Sequence, residues 1–176
     1  ISPLTKTWLK AAQEAGLPYV TDFNAGDQSG CGYYQMTLRD GRRSSAAVCY
    51  LKPARRRKSL TVMTGCRVVR ILVENGRAAG VEYLRDGKLV TVRAEREIVV
   101  SAGAINSPRL LMLSGIGPAD HLRKVGVPVV HDLPGVGRNL QDHMDVYLVY
   151  ELAGPYGYDR YKALRWKAWA GVQYAL

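Results

Sequence analysis

Cysteine is scarce and poorly spaced for any shared task. Cys31, Cys49 and Cys66 are the only three in the 176-residue chain. An odd number without CxxC or Cys/His spacing excludes a disulfide framework and a structural zinc site. Each is expected to be an ordinary packed thiol in a reducing compartment. Long apolar runs are also missing: none approaches the roughly 18–20 residues of a membrane helix, so no transmembrane segment is expected. The opening Ile1-Ser2-Pro3-Leu4-Thr5-Lys6 has neither the basic start nor the apolar stretch of a signal peptide. A cytoplasmic location is therefore expected, with peripheral membrane association as the variant. Acidic residues nearly vanish between Tyr33 and Arg70, where Asp40 stands against Arg39, Arg42, Arg43, Lys52, Arg55, Arg56, Arg57, Lys58, Arg67 and Arg70. Such a patch suits an anionic partner. Only Arg55-Arg56-Arg57-Lys58 is an unbroken run, and no nucleic-acid motif surrounds it, so no nucleic-acid partner is expected.

The usual catalytic patterns are missing as well. A dinucleotide loop requires GxGxxG between a strand and a helix. Gly115-Ile116-Gly117 continues as Pro118-Ala119-Asp120, and Gly135-Val136-Gly137 as Arg138-Asn139-Leu140, so both lack the third glycine. Helix stops and tight loops are the expected use of these glycines. No GxSxG elbow marks a serine nucleophile. His143 lies between Asp142 and Asp145, a pattern that suits a general base or a metal ligand and equally a solvated loop. The loop is the expected reading, with no catalytic residue and no metal ligand assigned.

What is present is a globular composition, 47% hydrophobic and 23% charged, with elements that change character along the chain. Residues 5–15 suit a helix stopped by Gly16. Residues 17–32 read as loop, and Ser44 or Ser45 can cap a helix over 46–51 that Pro53 helps to end. Residues 60–102 are β-rich in five segments (60–64, 66–74, 77–84, 88–94 and 96–102), three of them separated by Asn75-Gly76 and Asp86-Gly87. These dipeptides tolerate the positive φ of tight hairpins and predict a β-meander. Gly80 within it suggests a bulge or a close backbone approach. Ile98-Val99-Val100-Ser101-Ala102 reads as a strand buried on both faces. Ser107-Pro108 suits an N-cap and first helical residue, leading to Gly115. A second helix is expected from Pro118 to Gly126, short strands over 127–130 and 146–150, a turn over 155–158, and a basic helix over 160–176. The missing initiator methionine and an end inside that last helix suggest an internal piece of a longer chain.

Four ordered blocks now combine. Gly103-Ala104-Ile105-Asn106-Ser107-Pro108 with Leu111-Met112-Leu113-Ser114-Gly115-Ile116-Gly117 resembles the second signature of the glucose–methanol–choline oxidoreductases. Asp132-Leu133-Pro134-Gly135-Val136-Gly137-Arg138-Asn139-Leu140-Gln141-Asp142-His143 resembles the block that follows it, and Gly41-Arg42-Arg43-Ser44-Ser45-Ala46-Ala47 and Arg77-Ala78-Ala79-Gly80-Val81-Glu82-Tyr83 resemble two upstream. The resemblance implies an α/β flavoenzyme, α+β within this stretch, that binds FAD and oxidises an alcohol by hydride transfer. It further implies that residues 1–59 belong to the substrate-domain or FAD-covering segment, 60–145 to the FAD-binding domain with its meander, and 146–176 to the start of a substrate-binding domain. Val68 is implied to meet the adenine end through its backbone, and Ser101, Ala102 and Gly103 to bring small residues close to the cofactor. The family's pyrophosphate loop lies upstream of residue 1 and its catalytic histidine downstream of residue 176, so the chain alone is expected to be inactive and to bind flavin weakly. Gly32-Tyr33-Tyr34-Gln35 and Gly41-Arg42-Arg43-Ser44 lean towards the choline and aliphatic alcohol dehydrogenases. A non-catalytic module binding an anionic partner through the basic patch is the alternative.

Overall fold

The computed structural model describes residues 3–154, 157 and 162–175. In chain order the elements are α1 (Pro3–Glu14), β1 (Leu38–Arg39), β2 (Arg42–Arg43), a π-helical turn (Ala47–Leu51) running into α2 (Lys52–Ala54), and β3 (Arg67–Glu74). There follow β4 (Arg77–Arg85), β5 (Lys88–Arg93), α3 (Gly103–Leu113), β6 (Ile116–Gly117), α4 (Ala119–Lys124), β7 (His131–Asp132) and α5 (Leu164–Ala175). The chain divides into two units, 1–54 with 146–176, and 55–145.

In the first unit α1 ends in a Schellman motif. The Leu17 amide donates to the Ala12 carbonyl and the Gly16 amide to that of Gln13, both at 3.0 Å. The loop after it is held by backbone bonds: Val20 N–H to Cys31 O at 2.8 Å and Cys31 N–H to Pro18 O at 2.9 Å. Cys31 is buried there. Ser45 caps the π-helical turn, its carbonyl accepting from Val48 and Cys49 and its Oγ from Val48. Pro53 does not end that segment, which runs on to Ala54. The turn expected over 155–158 lies outside the described residues except Gly157, and residues 160, 161 and 176 of the expected last helix lie outside them too. Within the described residues that helix begins at Leu164.

The second unit is built on an antiparallel meander in the order β3-β4-β5. Asn75-Gly76 and Asp86-Gly87 close its hairpins with φ of 50° and 75°, and 51° and 74°, the double-positive turn that matches strand twist. The register slips once between Val68 and Arg70 and again between Leu72 and Val73. Val69 is the extra residue in the first bulge and Ala79 in the second. The two lie on opposite strands and cancel, so the hairpin closes in register. Gly80 carries both meanings expected of it: it adjoins the second bulge, and a Cβ there would lie 2.5 Å from the Val92 carbonyl oxygen. A short parallel pair, β6 with β7, is bridged by α4.

Several β-rich runs form no strand among the described residues. Residues 60–64, 98–102, 127–130 and 146–150 have no ladder, and Val99 is 78% exposed. Strand propensity reflects fit to a pleated surface with neighbours, and these runs have no strand alongside to pair with. The short strand expected over 127–130 appears instead at His131–Asp132, where Gly117 and Ile116 offer partners.

Two cation–carboxylate pairs fasten the meander. Arg70 hydrogen-bonds Glu82 on the neighbouring strand, and Arg93 makes two bonds to Glu74 across the sheet. Each guanidinium holds its carboxyl below the ordinary glutamate value of 4.5, chiefly through these hydrogen bonds. The pairs thus add stability above that value and lose it as pH falls through the lowered folded values. Since three of the four side chains are about half exposed, the expected fall in unfolding temperature as pH drops below the ordinary glutamate value is shallow. It should shrink in the Glu74→Gln/Glu82→Gln variant; an identical fall in both proteins would remove these pairs from the account.

Candidate functional site

One concavity of the second unit lies where the start of β3 meets one face of α3. Residues 67–69 form one wall, and Ala102, Asn106, Arg109, Leu110 and Leu113 the other, around a cavity of about 580 Å³. That volume falls within the roughly 300–1,000 Å³ typical of small-molecule sites. Val68 and Ala102, more than thirty positions apart, therefore line the same space. Ser101 and Gly103 flank Ala102 at the entrance to the helix.

The bulge at Val69 matters at this point. The extra residue of a bulge is left out of the ladder and re-aims its neighbours, so Val69 has no partner on β4, while Val68 stays in register with Tyr83. β3 is also the outer strand of the meander, and its free edge is met by α3. Ser114, which ends that helix, is buried. Its Oγ donates to the Leu110 carbonyl at 2.6 Å and accepts from the Ile71 amide at 2.8 Å. One hydroxyl thus closes the helix and satisfies an edge amide, setting the spacing between the two walls.

Helix α3 begins at Gly103, four residues before the expected cap at Ser107, with Pro108 inside it. Ser107 lies one turn in, and its Oγ accepts from the Ala102 amide at 3.0 Å. It thus holds the entry turn from within the helix. Gly103 has φ +88°, and a Cβ added there would meet nothing within 4 Å. Its requirement is conformational, set by the sharp turn from 101 into the helix.

The glycine pairs serve packing and turns. A Cβ at Gly115 would lie 2.5 Å from the Pro128 carbonyl oxygen and 2.7 Å from Val130 Cγ2, and its φ is +80°. The Gly115 carbonyl accepts from Val130 and His131, which seats β7 beside β6. Asp132 then caps the neighbouring helix, its Oδ1 accepting from the Ala119 amide at 2.9 Å. Ser114 and Asp132 are structural anchors that the sequence did not single out. A serine immediately before a helix-ending glycine was the available signal for the first.

His143 is exposed, and its backbone amide bonds Asp142 Oδ1 at 2.8 Å. Among the described residues no group of His, Cys, Asp or Glu is placed to hold a metal. All three cysteines are free thiols, Cys49 being exposed. Arg55, Arg56, Arg57 and Lys58 are exposed, with no carboxylate partner among the described residues. No described helix is long and apolar enough to cross a membrane.

The sequence profile of the GMC oxidoreductases matches residues 1–145. The chain belongs to the GMC oxidoreductase family. Among its relatives, the oxygen-dependent choline dehydrogenase of Rhizobium etli is 45% identical over 175 residues, which is 99% of this chain and 32% of that protein. The mitochondrial choline dehydrogenase of Homo sapiens is 50% identical over 146 residues, covering 83% of this chain and 25% of that protein. The chain thus spans about a third or less of the length of these curated relatives. Among solved structures, pyridoxine 4-oxidase from Mesorbium loti superposes with a TM-score of 0.72 at 41% identity, covering 81% of this chain and 28% of that one. An FAD-dependent oxidoreductase from Chaetomium thermophilum does so with 0.75 at 36%, covering 80% and 25%. The mixed helix-and-sheet architecture expected from the sequence is that of these GMC flavoproteins.

Proposed function

We propose that this chain supplies the adenine end of the FAD site in an oxidoreductase acting on the CH–OH group of an alcohol. The observation that carries the reading is the convergence of Val68 and Ala102 on one cavity beside an unpaired bulge. The residues there fit that part of the cofactor. Val68, Leu110 and Leu113 offer apolar contact to a flat ring, the bulged outer edge of β3 offers backbone hydrogen bonds, and the turn through Ser101, Ala102 and Gly103 keeps side-chain bulk low. Bound FAD supplies the hydride acceptor. This chain's residues bind and orient its adenine half and exclude water from that face.

Choline is the first substrate to test, on the strength of the choline dehydrogenases among the relatives. In this reading residues 60–145 form part of the FAD domain, and 1–59 with 146–176 parts of the covering and substrate-binding segments. The three free thiols support a reducing, cytoplasmic setting. The test is the visible spectrum of the protein expressed from its complete gene. Flavin bands that bleach when choline or another primary alcohol is added under anaerobic conditions are expected. A colourless, flavin-free product would overturn the proposal.

A further inference from the structure

Asn106 and Arg109 lie one turn apart on α3, on the face that closes the cavity opposite Val68. Among the described residues neither side chain has a hydrogen-bond or ion-pair partner. Both are exposed, and the side-chain link between α3 and β3 runs through Ser114 to the Ile71 amide instead. An amide and a guanidinium left without partners beside an apolar wall form a recognition surface. A carboxamide presents one donor and one acceptor, the complement of the N6/N7 edge of adenine. A guanidinium lies favourably over an aromatic face.

We infer that Asn106 and Arg109 select the adenine base of the cofactor, Asn106 by pairing with its amino edge and Arg109 by stacking on the ring. The inference rests on the proposed FAD site and assigns it specificity beyond the backbone contact at Val68. Hypoxanthine carries an oxygen in place of the N6 amino group and cannot donate to the carboxamide oxygen, so Asn106 should disfavour it.

The apoprotein of the complete gene product is titrated, by flavin fluorescence, with FAD, with its hypoxanthine analogue and with FMN. Wild type is expected to prefer FAD over the analogue by about tenfold. Asn106→Leu should abolish that preference by weakening FAD alone. Arg109→Ala should weaken both dinucleotides about equally, by several-fold, and keep the preference. FMN affinity should be unchanged in both variants, a readout that general loosening of the fold would move. A preference that survives Asn106→Leu, or FMN affinity falling as much as FAD affinity, would overturn this inference while leaving the FAD site standing. A wild-type apoprotein that takes up neither dinucleotide would overturn both.

Discussion

Replacing Gly115 with alanine is expected to destabilise the second unit by about 3 kcal/mol. Two costs combine. An L side chain at φ +80° is strained by roughly 1–2 kcal/mol, and overpacking into a fixed neighbour adds about 1–3 kcal/mol. The neighbour here is backbone: the Pro128 carbonyl oxygen would lie 2.5 Å from the new atom. Moving it breaks the bonds from Val130 and His131 to the Gly115 carbonyl, and with them the β6–β7 pair. Urea unfolding of wild type and variant measures the difference. A change below about 1 kcal/mol would mean that the loop through 128–131 yields freely, contrary to its hydrogen bonding.

Ser114→Ala is expected to cost about 2 kcal/mol. Removing one partner of a buried bond leaves the other unsatisfied, at roughly 1–3 kcal/mol. Here the abandoned group is the Ile71 amide, which the bulged outer strand cannot pair elsewhere. The Leu110 carbonyl loses a bond as well, but keeps that from the Ser114 amide. Hydrogen exchange at Ile71 should accelerate more than at Val81 or Tyr83 in the same sheet. Because the hydroxyl also sets the spacing of the cavity walls, FAD affinity in the complete protein should fall together with stability. An Ile71 amide as protected in the variant as in wild type would show that the link to α3 is not held by this hydroxyl.

The meander is legible in the sequence because two independent signals agree there. Asn-Gly and Asp-Gly turns stand between runs of β-branched residues, and each run finds a partner at the distance a tight hairpin allows. Asp40-Gly41 carries the same turn signal and closes β1 and β2 with φ of 49° and 68°. It does not stand out because Leu38-Arg39 and Arg42-Arg43 lack the β-rich flanks. The opposite error occurs at Ile98-Val99-Val100, where composition promises a strand but no described strand lies beside it to bond with. Family resemblance singles out Val68 and Ala102, which lie in separate stretches of the chain. It could not supply the bulge at Val69 or the facing positions of Asn106 and Arg109. Those depend on register and on the helix starting at Gly103 instead of Pro108, a matter of tertiary contact between α3 and the edge of β3.

The most direct test of the central claim is hydrogen exchange in the complete gene product with and without FAD. The account predicts that FAD slows exchange at the amides of Val68 and Val69 and across 101–106, while the distant hairpin at Asp86-Gly87 is unaffected. FAD binding that leaves 67–69 and 101–106 exchanging as in the apoprotein would contradict it, and would move the adenine end away from the cavity between β3 and α3.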